Sequence, residues 1–400
     1  MSQPTFASLC RASKRFLPLA RSFLYYRPIS PTSTVTWKRA RALLASLSSA
    51  TGQLVVSLEG IVDYVAELGT LKEPRLHLSF QLRGLTKALS LYIALLSACP
   101  RLVTVELIFN SSQHWTKLLK ALTKSRPTLQ TVVFANSRYS RDYQITTELA
   151  CSAMNHSQLS GIQNVVLRHI SRTVSVREPA VSLTLGSFTL QTVEVLDFFK
   201  VLFPRDPSAL QSFSLQTEAM SQYFLSWILE YLPDSLQDLS IDVNDDYPPP
   251  SLFDYEYRRI RSLDPSHFAH LTSLTRLCLQ GFQGPSLDLL DQLASSCATL
   301  SELDFARSPW VPSSVTRSSS VSAPRHGHYW IMGVADPRDL LARLVKFARL
   351  RHAHLGYLPT MSRARYAEML DEMARRGVEI EWQPCTDPPF CPGCGDYHHY

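Results

Sequence analysis

The sequence predicts an α/β solenoid, with parallel strands along a concave face and helices over the convex one, on three observations. The six-residue pattern L-x-x-L-x-L, with aliphatic or aromatic substitutes, recurs nine times. Five of the eight intervals between occurrences are 20 to 28 residues long. The segments between occurrences carry apolar residues at helical spacing.

The pattern begins at Leu102 (Val105, Leu107), Leu129 (Val132, Phe134), Ile162 (Val165, Leu167), Leu190 (Val193, Val195) and Leu210 (Phe213, Leu215). It continues at Leu236 (Leu239, Ile241), Leu274 (Leu277, Leu279), Leu300 (Leu303, Phe305) and Leu350 (Ala353, Leu355). The last two apolar positions alternate along a short strand and so point to one face, while the first packs under the preceding turn. One such strand cannot bury its apolar row alone. Stacked in parallel, the strands share a core, and each return path crosses the outside of the arc. Intervals of roughly 20 to 29 residues are those of leucine-rich repeats. Two others, of 33 and 38 residues, need a modest extra loop, and the last, of 50, needs an insertion. Lead-ins recur as well: Cys99-Pro100-Arg101-Leu102, Arg126-Pro127-Thr128-Leu129 and Cys297-Ala298-Thr299-Leu300. Weaker strands at Leu54 to Leu58 and Leu76 to Phe80 start the array, which spans residues 51–384.

The return paths read as helices. Trp115, Leu118, Leu119 and Leu122 share one helical face, and Leu287, Leu290, Leu293 and Ala294 come close to the same spacing. Asp336 and Pro337 offer a helix start ahead of Leu340, Leu341, Leu344, Val345 and Ala348. A further helix from Ser362 to Arg376 is stopped by Gly377 and followed by a closing strand with Val378, Ile380 and Trp382. Two segments leave the array: Asp245 to Pro250, which ends in three prolines, and the Ser/Pro-rich loop at 308–325. In that loop Arg317 precedes three serines, a site for a basophilic kinase or simply a solvated linker.

Charge is uneven. Residues 1–50 hold eight Lys/Arg and no Asp or Glu, leaving 32 basic against 34 acidic side chains in the other 350 residues. The body therefore carries no electrostatic footprint for nucleic acid. No apolar run approaches the roughly 18 residues a membrane span needs. The isolated cysteines Cys10, Cys99, Cys151, Cys278 and Cys297, mostly in apolar surroundings, suit reduced, buried thiols of an intracellular protein, cytoplasmic or nuclear.

Metal-like spacing occurs in the tail at 385–400, where Cys385, Cys391, Cys394 and His398 match the ligand set of a closed, structural zinc site. A frayed tail is the alternative, since Pro388 and Pro389 suit one equally well. His352 and His354 flank Ala353 in the ninth strand and should share its polar face. No phosphate-cradling loop, nucleophile elbow or H-E-x-x-H motif is present, and 14 glycines in 400 residues argue further against a nucleotide fold. The reading is of a protein that is not an enzyme and has no further cofactor.

Residues 6–29, FASLCRASKRFLPLARSFLYYRPI, carry short helical stripes broken near Pro18. This stretch resembles the second half of an F-box as found in fungal F-box proteins with leucine-rich repeats. That family opens with a helix bearing a Leu-Pro-x-Glu motif, and here only Met1 to Thr5 precede Phe6, so the box is N-terminally incomplete. The resemblance implies an F-box-like segment at 1–30 and a linker helix at 31–50, from Trp37 to Leu47. Leu9, Phe16, Leu19, Leu24 and Tyr25 would be the remnant contact to a Skp-type adaptor of cullin-RING ubiquitin ligases. An Arg- and Ser-rich, acid-free, amphipathic start also suits a mitochondrial transit peptide.

A solenoid would act through the exposed positions of its strands, among them Glu106, Arg168, Glu194, Asp238, Asp242, Arg276, Glu302, Asp304, His352 and His354. Six acids against two arginines make that strip mildly acidic. The expected partner is a protein with a basic or polar patch, bound by a chain that is monomeric outside complexes. Two functions fit: an F-box-like substrate receptor, and a leucine-rich-repeat scaffold with no ubiquitin role.

Overall fold

The computed structural model describes residues 44–47, 57–58, 90, 93–108, 112–122, 127–135, 145–155, 159, 161–168, 170–171, 181–195, 200, 202–243, 263–282, 286–306, 337–358 and 366–384. The F-box-like segment, most of the linker helix, the Leu76 to Phe80 strand, both excursions and the Cys/His tail lie outside the described residues. The fold is α/β with parallel strands, and the chain divides into two compact units.

In the first unit, β1 (Ser57–Leu58), β2 (Thr104–Ile108), β3 (Thr131–Ala135) and β5 (Asn164–Arg168) form a parallel ladder in that order. Between them lie α1 (Ser112–Ala121), the short β4 (Ile145–Thr146) and α2 (Thr147–Met154). The short β4 pairs with β6 (Ile170–Ser171). The residues of β7 (Ser187–Val195) are divided between the two units.

The second unit follows the same plan: β8 (Ser212–Met220), α3 (Gln222–Tyr231), β9 (Asp238–Val243), β10 (Arg276–Gln280), α4 (Leu287–Ser296) and β11 (Glu302–Asp304). It ends with α5 (Pro337–Leu344), β12 (His352–Leu358), α6 (Ala367–Arg375) and β13 (Glu379–Pro384). Strands β8 to β13 pair in sequence order, all parallel. Among the described residues β13 pairs only with β12, so this ladder is open.

The apolar pattern is what the core is made of. In the eight occurrences whose side chains are described, no apolar position is more than 5% exposed. Burying one such Leu or Phe side chain contributes about 1.5–3 kcal/mol relative to exposure, so the rows dominate the stability of each unit. Backbone bonding repeats with the same period. At six occurrences among the described residues the carbonyl just after the first Leu accepts two N–H groups from the next. Ahead of β8 that carbonyl is Gly186 O, after Leu185, so the pattern there runs Leu185, Phe188 and Leu190, all buried, instead of starting at Leu190 as the sequence suggested. In the first unit Val103 O takes Gln130 N and Thr131 N, both at 2.9 Å. In the second, Gln237 O takes Thr275 N and Arg276 N at 2.8 and 3.0 Å, and Thr275 O takes Ser301 N and Glu302 N at 2.8 and 3.1 Å. Hydroxyls in the lead-ins join in: Thr128 Oγ1 donates to Leu102 O at 2.9 Å, and Thr299 Oγ1 to Leu274 O at 2.8 Å.

The helices show where local chemistry adjusts the pattern. Ser221 and Ser286 cap α3 and α4 by accepting from Phe224 N and Leu289 N, each at 3.1 Å. Helix α4 buries Leu289, Leu290 and Leu293, whereas the spacing favoured Leu287 and Ala294, which are only half-buried. Helix α5 stops at Leu344, short of Val345 and Ala348, which the spacing placed on its apolar side. Lys346 N bonds to Arg343 O and Phe347 N to Leu344 O, tightening the chain into turns that expose Ala348 and bury Phe347 in its place. Gly377, at φ +75°, ends the last helix as its glycine predicted. No helix among the described residues is long and apolar enough to cross a membrane.

Candidate interaction surface

Alternation along each strand sends every second side chain away from the core. In the second unit the parallel register turns these side chains into rows. The first row is Ser212, Asp238, Arg276, Glu302, His352 and Glu379. Two residues on, the second is Ser214, Ser240, Cys278, Asp304, His354 and Glu381. A shorter third row holds Gln216, Asp242 and Gln280.

Charges on these rows meet across neighbouring strands. Arg276 lies between two acids, its Nη1 4.0 Å from Asp238 Oδ2 and its Nε 3.3 Å from Glu302 Oε2. His352 Nδ1 stands 3.1 Å from Glu379 Oε2, whereas His354 Nδ1, 3.9 Å from Asp304 Oδ1, accepts from Gly356 N and offers Asp304 no proton. Arg276, Glu302, His352 and Glu379 are all more than half exposed. Exposed pairs of this kind contribute no more than about 1 kcal/mol each, so the rows add little to stability and leave charge available to a partner. Burial holds the Asp238 carboxyl above the usual carboxylate range, with Glu302 adding to the effect and Arg276 and Ser212 opposing it. Asp304 is more firmly built in, accepting from Gln280 Nε2 and Ala306 N at 2.7 Å each. At Gly356, φ +70°, the register of β12 shifts after His354, and Gly356 N donates to His354 Nδ1 at 3.1 Å.

The first unit presents a different surface. Asn164 Nδ2 donates to Thr131 Oγ1 at 3.1 Å, in line with Thr104. Glu106, expected to be exposed, is 5% exposed because Arg168 reaches over Val133 to bond its Oε1 at 3.0 Å. That carboxylate is covered by its own partner. Glu194 lies in β7, and nothing is described of its side chain.

Four members of the rows, Gln216, Cys278, Glu379 and Glu381, escaped sequence reasoning. Glu379 and Glu381 follow the last full pattern and gain their place only through pairing with β12. In the sequence Cys278 is one more isolated thiol. It occupies the middle of Leu277-Cys278-Leu279, the outward position, and its Sγ lies 3.5 Å from Asp304 Oδ2. That spacing was the available signal. Burial, aided by Asp304, pushes the Cys278 thiol up to about 12, and burial alone does the same to Cys99. Cys297 is raised by burial too, and its Sγ donates to Leu271 O at 3.2 Å. At pH 8 these thiols are protonated and enclosed. Iodoacetamide is therefore expected to spare Cys99, Cys151, Cys278 and Cys297 in the native chain and to modify them in urea, as read by peptide mass spectrometry. Rapid native labelling of Cys99 would contradict this core.

Among the described residues no group of three His, Cys, Asp or Glu is placed to hold a metal ion. Cys385, Cys391, Cys394 and His398 lie outside those residues. No protein-family model matches the chain, and no curated protein matches it.

Proposed function

We propose that the chain is a non-catalytic protein-binding receptor, a leucine-rich-repeat solenoid whose polar rows form the concave face and hold a protein partner with a basic or polar patch. The observation that carries this reading is the set of six carboxylates on the rows of the second unit: Asp238, Asp242, Glu302, Asp304, Glu379 and Glu381. Arg276 is the one Lys or Arg among the described residues of those rows. A broad, shallow, charged surface on a rigid ladder suits recognition of a folded surface better than of a small molecule. The recurring carbonyl bonds and buried Leu rows support the solenoid. By resemblance, residues 1–30 supply the contact to a Skp-type adaptor, which makes the chain a substrate receptor of a cullin-RING ligase in the cytoplasm or nucleus. A scaffold would keep the same surface without that contact, and co-purification of the adaptor separates the two.

Charge reversal tests the surface. Asp238→Lys, Asp242→Lys and Glu302→Lys together are expected to weaken capture of the partner by about tenfold or more, with some loss of stability from the like charges set around Arg276. The neutral set Asp238→Asn, Asp242→Asn and Glu302→Gln should weaken it in the same direction, with a melting temperature closer to that of the parent chain. Asp304→Lys should weaken it further, with some loss of stability because Asp304 also holds the turn at Ala306. Undiminished capture by the triple reversal would sink the proposal.

A further inference from the structure

A groove of about 860 Å³ opens in the second unit beside the residues that lead into β10, β11, β12 and β13. Its lining includes Arg349, Arg351, Arg376 and Gly377, together with His352 and Glu379 of the first row. The repeat changes character at this groove. Counting back two residues from the Glu379–His352 pair sets Gly377 in register with Leu350, so a glycine stands where the preceding occurrences have an apolar side chain. A Cβ built on Gly377 would meet nothing within 4 Å. Arg349 likewise takes the position that Thr128 and Thr299 hold in their own lead-ins, where a hydroxyl ties down the preceding carbonyl.

We infer that this groove is a second binding site, which takes the anionic side chains of an extended acidic peptide through Arg349 and Arg351. Elsewhere in the unit, cations are matched: Arg276 by Asp238 and Glu302, Arg343 and Lys346 by Asp291, and Arg375 and Arg376 by Glu372. Arg349 and Arg351 are exposed and have no carboxylate partner among the described residues. Arg376 is held in place at the groove wall, its Nε 2.9 Å from Glu372 Oε1 and its Nη1 donating to Val345 O at 3.2 Å. Two free guanidinium forks on one open groove match carboxylate or phosphate oxygens, which they engage in pairs. Two arginines make no extended cationic stripe, and outside residues 1–50 the chain holds 32 basic against 34 acidic side chains, so a long nucleic-acid backbone lacks the broad positive surface it needs. The groove shares Glu379 with the rows behind the proposed function, but its arginines and the acids reversed there, Asp238, Asp242 and Glu302, are different residues, so the two proposals fail separately.

The test is fluorescence anisotropy at low ionic strength with the full chain, using a labelled octaglutamate peptide and a peptide of equal length bearing phosphoserines. The parent chain should bind at least one of them, and the tighter one identifies carboxylate or phosphate as the natural group. Arg349→Glu with Arg351→Glu should weaken binding at least about tenfold, whereas Arg375→Glu, outside the lining, and Asp238→Lys should not. If the double reversal fails to fold, Arg349→Gln with Arg351→Gln should show a smaller loss in the same direction. No binding of either peptide by the parent chain, equal binding by all variants, or tighter arginine-dependent binding of duplex DNA would overturn the inference.

Discussion

Replacing Gly281 by alanine is expected to destabilise the second unit by about 3 kcal/mol or more, from a left-handed backbone penalty plus a steric clash. Gly281 follows β10 at φ +75°, and a Cβ built there would sit 1.9 Å from Val243 O and 3.0 Å from Val243 C. Both are backbone atoms at the end of β9, so relief requires one strand end to move. Gly377 is the internal control. It shares φ +75° but has open space around its Cβ, so Gly377→Ala should lose only about 1–2 kcal/mol, the conformational part. Urea unfolding of the two variants measures the difference. Equal losses would show that the close approach of β9 and the turn after β10 is not present.

The second large effect belongs to the core. Leu277 is fully buried, in register with Leu239 on one side and Leu303 on the other, both at most 1% exposed. Leu277→Ala should cost about 2–5 kcal/mol, because the fixed strand spacing leaves a cavity that neighbours cannot fill. Arg276→Ala, one residue earlier and facing outward, should cost about 1 kcal/mol or less, since its ion pairs are largely solvated. Thermal or urea unfolding of both variants reads out the alternation directly. A similar cost at the two positions would mean that the inward and outward faces are wrongly assigned.

Much of this architecture was legible because burial imposes a period. Leu239 and Ile241, or Leu277 and Leu279, can share a core only if the residues between them face away, and parallel pairing forces a long return path. The stop at Gly377 was legible for the same kind of reason, since a left-handed residue there is cheapest as glycine. What could not be read depends on neighbours distant in sequence. Helix α5 ends early through turn bonds around Lys346 and Phe347 that no local preference announces. Glu106 looks like any outward residue until Arg168, 62 residues later, is known to reach it. Glu379 and Glu381 become part of the rows only once β13 pairs with β12. Arg349 and Arg351 sit among many arginines in the sequence. They stand out only when the others are seen to have acidic neighbours.

Everything proposed for the rows depends on the register of adjacent strands, and a disulfide trap at β9 and β10 tests it most directly. Ser240 and Cys278 are partners in that register, on parallel strands about 4.8 Å apart, within the reach of a disulfide. On refolding in a glutathione redox buffer, the Ser240→Cys variant is expected to form a bond to Cys278, identified as a linked peptide pair by mass spectrometry, while Ile241→Cys forms none. A link from Ile241→Cys and none from Ser240→Cys would mean that the strand is slipped by one residue, turning the Leu rows outward and the acids into the core, and would contradict the account.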